Sequence, residues 1–213
     1  MLRTVFSLSV LLATQCFALN AQAQDYPDFR SKREAVEKMQ EKEIQSDLST
    51  FTMAGVDLGV GKDPLPSIPV ASYDASHISF AGNSINVNIT TGKFDPSKHK
   101  LNFVEKYLVK IDNKGYYGNY GNVPKNTIAT VTVTVGKDTI VIPPAAYADI
   151  YNPEFTYSHS GVVSASGGVY QSADKKKLYI YLLKREAGGS YEVTWVIQDN
   201  KYLRRVVDFG FLQ

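Results

Sequence analysis

Polar and apolar residues alternate over residues 84–90, where Ile85, Val87 and Ile89 point one way and Asn86, Asn88 and Thr90 the other. A period of two marks a strand with one buried face. Leu101, Phe103, Tyr107, Val109 and Ile111 fall on one face of a second, longer predicted strand. Ala129, Val131, Val133 and Val135 alternate with Thr130, Thr132 and Thr134 in a third. Gly136-Lys137 then predicts a hairpin into the β-branched run at 139–142, and Asp112-Asn113-Lys114-Gly115 is a further turn signal. The most regular part is C-terminal: residues 178–183, 191–198 and 202–209, joined through Ala187-Gly188-Gly189-Ser190 and Asp199-Asn200, predict a three-stranded antiparallel meander. Between these blocks, Pro143-Pro144 stops the hairpin, residues 145–150 have room for one helical turn, and residues 158–168 read as a Ser/Gly-rich loop.

Only the N-terminal part has a helical texture. Residues 31–45 are rich in Lys, Glu, Arg and Gln, and Phe29, Val36, Met39 and Ile44 form a narrow apolar stripe. This predicts a surface helix that packs weakly. Strands at short spacing without intervening helices predict a mainly β fold, an antiparallel β-sandwich or open barrel with one N-terminal α-helix.

Residues 1–23 have the three parts of a secretory signal: Arg3, an apolar run at 5–12, and Ala21-Gln22-Ala23 before a cut at Gln24. Thr14 and Gln15 break the run short of the roughly 20 apolar residues that a spanning helix needs. The expected organisation is therefore a signal peptide at 1–23, a helical segment at 24–50 and a β-rich domain at 51–213. The single cysteine, Cys16, lies in the signal, so the mature chain has no cysteine and no disulfide, and its stability must come from its core. The expected destination is the periplasm, the cell surface or the medium. Losing Arg3 takes the 23 basic residues to 22, against 21 acidic ones, which gives no global field for nucleic acid.

Four stretches carry a resemblance. Phe94-Asp95-Pro96-Ser97-Lys98-His99-Lys100, Ile111-Asp112-Asn113-Lys114-Gly115, Ala146-Tyr147-Ala148-Asp149-Ile150-Tyr151-Asn152-Pro153 and Tyr191-Glu192-Val193-Thr194-Trp195-Val196-Ile197 are similar to uncharacterised secreted β-rich proteins of Bacteroidetes-type bacteria. The resemblance runs over about residues 94–211 and implies an exported protein without implying an activity.

Little catalytic chemistry stands out. Tyr157-Ser158-His159-Ser160-Gly161 sets serines beside a histidine, but sequence neighbours seldom give triad geometry, and Gly161-Val162-Val163-Ser164 lacks the spacing of a nucleophile elbow. His77, His99 and His159 are dispersed, no cofactor is implied, and Asp149 with Glu154 are the only candidate calcium ligands. Two carboxylates for glycoside hydrolysis have no distinguishing pattern.

Two features lead further. The loop Gly115-Tyr116-Tyr117-Gly118-Asn119-Tyr120-Gly121-Asn122 offers Tyr116, Tyr117 and Tyr120 with Asn119 and Asn122, a set suited to stacking and hydrogen-bonding a sugar or a protein partner. The alternative folds the tyrosines over the sandwich end as a lid. The second is the basic set of Lys175-Lys176-Lys177, Lys184-Arg185, Lys201 and Arg204-Arg205. There the lysine run reads as solvated surface, and Arg205, in the apolar row of Leu203, Val207, Phe209 and Phe211, reads as half of a structural ion pair. The expected function is a non-enzymatic envelope protein that binds a glycan or a protein through loops at one end of the sandwich. A hydrolase with dispersed acids, and a structural or inhibitory protein docking through its N-terminal helix, are the alternatives.

Overall fold

The computed structural model describes residues 36 and 38–209. The predicted signal peptide with Cys16, the cut before Gln24, Phe29, the first part of the predicted helix and Phe211 lie outside the described residues.

The chain is mainly β, with antiparallel sheets that do not close into a barrel and one helix near the N-terminal region. Helix α1 is Lys42–Leu48. The strands are β1 (Ser67–Ile68), β2 (Val70–Tyr73), β3 (His77–Gly82), β4 (Ile85–Lys93), β5 (Leu101–Val104), β6 (Tyr107–Ile111), β7 (Asn126–Val135), β8 (Asp138–Val141), β9 (Thr156–His159), β10 (Val162–Ala165), β11 (Gly167–Gln171), β12 (Lys177–Lys184), β13 (Tyr191–Gln198) and β14 (Lys201–Phe209). One five-stranded sheet runs β1-β11-β12-β13-β14 and the other β2-β3-β4-β7-β8; β5-β6 and β9-β10 are separate hairpins.

The two large sheets share one core. Ile78, Phe80, Val87, Ile89 and Val133 from one meet Ile180, Leu182, Val193 and Trp195 from the other. Trp195 is fully buried, and its indole N–H donates to the Ala146 carbonyl at 2.9 Å. The outer face of the β2–β8 sheet is polar, as its alternation requires, with Thr90 and Thr130 hydroxyls 2.7 Å apart.

The β11–β14 sheet is covered on both faces, which is why β12 and β13 are buried almost end to end. Its outer face carries Tyr179 and Val196, and the segment around α1 packs onto them through Met39, Ile44, Leu48 and Phe51. The described part of the predicted apolar stripe is thus docked rather than weakly packed, with Val36 and Ile44 1% and 2% exposed, and residues 38–41 are not helical although the predicted helix ran over 31–45. Charge follows this cover. Lys177 reaches Glu43 at 2.9 Å, Tyr179 donates to Asp47 at 2.5 Å, and Arg204 pairs with Glu41. Lys177 is therefore buried structure instead of solvated surface.

Tight turns set the registers. Asn83-Ser84, Ser160-Gly161 and Asp199-Asn200 all take positive φ at both positions, the conformation that matches strand twist in a two-residue hairpin. The second of these corrects an expectation, since residues 158–168 form the β9–β10 hairpin and the start of β11 rather than a loop. A second correction concerns residues 101–111. Glu105 adopts φ 52, the chain reverses there, and Val104 pairs with Tyr107, so one long strand becomes the hairpin β5–β6.

Candidate functional site

Between β4 and β7 the chain leaves the sandwich for residues 94–125. This excursion has its own small core of Phe94, Leu108, Ile111 and Tyr151, flanked by Leu101 and Tyr116. Phe94 and Tyr116 both stand edge-on to Tyr151, with ring centres 5.3 and 5.8 Å away. Burial pushes the Tyr151 hydroxyl up to about 12, with nearby Asp112 and Asp149 adding to the effect.

The tyrosine loop lies across the base of this excursion. Tyr117 exchanges backbone hydrogen bonds with the 149–151 turn: its N–H donates to Asp149, and Tyr151 donates back to its carbonyl, both at 2.9 Å. Gly118 takes φ +101, and a Cβ there would run into the Tyr151 carbonyl oxygen, so only glycine fits. The result divides the predicted ligand residues. Tyr117 is 9% exposed, belongs to the main core and packs edge-on against Phe209 at 5.2 Å. Tyr116 is half-buried and donates to the Leu108 carbonyl at 2.9 Å. Tyr117 therefore has no face open for a ligand, which corrects its assignment as a stacking platform.

Asn119 donates to the Asn122 carbonyl at 3.0 Å and Asn122 to the Tyr120 carbonyl at 3.1 Å, so both amides brace the loop. Tyr120 remains 37% exposed.

Arg205 lies beneath the loop, its guanidinium 5.9 Å from the Tyr117 ring centre, and grips Asp149. Glu154 accepts from Lys184 Nζ and from the Arg185 N–H, each at 2.9 Å. Asp149 and Glu154 therefore serve separate cations of the chain, which removes them as a shared calcium pair. Among the described residues no group of three His, Cys, Asp or Glu could hold a metal.

A cleft of about 240 Å³ opens beside the pair, lined by Asp112, Lys114, Tyr116, Ala148, Asp149 and Arg205. The His99 ring and the Lys100 N–H hold Asp112 below the ordinary carboxylate range.

What sequence reading missed is the outer side of the hairpin. Phe103, Val104, Tyr107 and Val109 are 50%, 60%, 52% and 43% exposed. Leu108 donates to the Gly121 carbonyl at 2.9 Å, which brings Tyr107 alongside the Tyr120-Gly121-Asn122 stretch. Lys106 sits 5.4 Å over the Tyr107 ring, and Lys98, Lys100, Lys110 and Lys114 are exposed elsewhere on the same excursion. Residues 93–125 hold seven lysines against the three acids Asp95, Glu105 and Asp112, more positive excess than the +2 of the whole chain. The signal was an odd one: apolar parity interrupted by Glu105-Lys106, with lysines on both flanks.

No known family, curated protein or solved structure matches the chain.

Proposed function

We propose that the protein is an exported binding module that engages an anionic envelope glycan through residues 94–125 at one end of the sandwich. The exposed Tyr107 and Tyr120 rings, on a lysine-rich excursion with Lys106 over Tyr107, carry this reading. Aromatic faces stack on the C–H faces of sugar rings, and ammonium groups supply attraction to uronate or phosphate substituents without requiring a closed pocket. The segment 1–23, the cysteine-free remainder and the resemblance to secreted proteins support export.

The test is binding of the purified protein to acidic and neutral polysaccharides at low and high salt. Acidic polymers should bind, with affinity falling as the Debye length shortens. Tyr107→Ala and Tyr120→Ala should each weaken binding about tenfold, a loss of about 1.4 kcal/mol, without moving Tm. Equal affinity for neutral polymers, or indifference to both substitutions, would overturn the reading. Cross-linking of this face to one envelope protein instead would make the partner a protein.

A further inference from the structure

The outer face of the β2–β3 hairpin carries a second, independent arrangement. Ser72 Oγ lies 3.0 Å from His77 Nε2, and His77 Nδ1 lies 3.0 Å from Asp74 Oδ2. We propose that Ser72, His77 and Asp74 form a nucleophilic site for carboxylic esters, with Ser72 as nucleophile, His77 as base and Asp74 as the group that orients the ring.

The roles follow from which atom meets which. Asp74 Oδ1 is occupied by the Ser76 N–H, the Ser76 hydroxyl and the His77 N–H, at 2.6, 2.8 and 2.9 Å. That leaves Oδ2 for the imidazole. The Ser76 hydroxyl and N–H lower the Asp74 carboxyl to about 2, so it is a carboxylate at any working pH. A carboxylate at Nδ1 places the ring proton there and leaves Nε2 as acceptor, the tautomer a base needs. Ser79 Oγ, 2.7 Å from Ser72 Oγ, fixes the nucleophile from its other side. Hairpin register makes this possible: Ser72 stands opposite Ser79, with Asp74 and His77 at the turn. Asp74 N–H donates to the His77 carbonyl at 2.9 Å. By ladder alternation the amide of Tyr73, one residue earlier, points to the open edge of β2 beside the nucleophile, where an oxyanion could be met.

The chemistry balances with water alone. Ser72 Oγ bonds to the acyl carbon as its proton passes to His77 Nε2, and the carbonyl electrons move onto oxygen. As the carbonyl re-forms, the ester C–O bond breaks and the alcohol leaves with the proton from His77. Water then repeats the sequence, releasing the acid and restoring Ser72. Ser72 and Asp74 are exposed, and His77 and Ser79 half-buried, on an open face. The fitting substrate is therefore an acyl ester carried on a large molecule, such as an esterified polymer.

The decisive experiment is labelling of the purified protein with an alkyl fluorophosphonate, read by peptide mass spectrometry. The expected result is an adduct on Ser72, formed at least tenfold faster than on Ser76 or Ser158, and an acetyl adduct at the same residue from p-nitrophenyl acetate. Ser72→Ala should abolish both. Because Asp74 also holds the turn, His77→Gln is the decisive variant: its backbone bonds to Asp74 stay, and labelling should still fall at least tenfold at unchanged Tm. Labelling of Ser72 no faster than of Ser76, or unaffected by His77→Gln, would overturn the proposal.

Discussion

Arg205 holds Asp149 with both terminal guanidinium nitrogens, at 2.5 and 2.8 Å, while only 8% of the arginine side chain meets solvent. This pair joins the last strand of the meander to the turn beneath the tyrosine loop. A forked donor matched to both carboxylate oxygens fixes orientation as well as distance. Asp149 is itself 25% exposed, so it can be rehydrated when its partner is removed. Arg205→Ala should therefore cost about 1–3 kcal/mol in urea unfolding, the worth of charge-assisted hydrogen bonds. Arg205→Lys should recover only part of this, because an ammonium cannot make the fork. Full stability in Arg205→Ala would show the pair to be incidental.

The same loop separates two neighbouring tyrosines by role. Tyr117 fills the core against Phe209, so Tyr117→Ala should cost about 3–5 kcal/mol, as large aromatic truncations do. Tyr120→Ala, at an exposed ring, should stay within about 0.5 kcal/mol. Paired thermal melts check both. Equal losses would mean that the loop packs as one unit.

How far the sequence reveals this arrangement depends on where the deciding contact lies. The meander is legible because the β11–β14 sheet is covered on both faces, so β12 and β13 read as long apolar runs between turn residues. The burial of Tyr117 but not Tyr120 is not legible. It depends on Gly118 at φ +101 passing the Tyr151 carbonyl, a contact between distant segments. Glu105-Lys106 has no turn signature, so the β5–β6 hairpin and its exposed aromatics were hidden behind matching parity. Ser72, Asp74 and His77 follow no motif spacing either, and their geometry exists only once β2 and β3 are in register.

Glu192 ties the N-terminal segment to the sheet. Its carboxylate is 3% exposed and accepts from the Met53 and Ala54 N–H groups at 2.7 and 2.6 Å, and from the Tyr181 hydroxyl at 2.8 Å. Glu192→Gln turns one acceptor oxygen into a donor that faces another donor. The expected cost is about 1–3 kcal/mol. Hydrogen exchange locates the effect: the Met53 and Ala54 amides should lose protection while β12 keeps its own. Uniform loss across β12 and β13 would show that cover and sheet open together.

Alkaline pH tests the buried phenols. Desolvation raises the hydroxyls of Tyr179, Tyr181 and Tyr191, with Asp47, Glu192 and Glu154 respectively reinforcing it, and takes Tyr151 to about 12. A phenol whose folded pKa lies above its unfolded value near 10 stabilises the fold fully below that value. The contribution is lost as pH rises through the folded pKa. Absorbance at 295 nm should therefore show Tyr151, Tyr179, Tyr181 and Tyr191 ionising only as the near-ultraviolet dichroism collapses, well above pH 10. Tm should fall steadily above about pH 10. A single titration of every tyrosine near 10 with the fold intact would contradict the packing of Tyr179 beneath the N-terminal segment and of Tyr191 in the core.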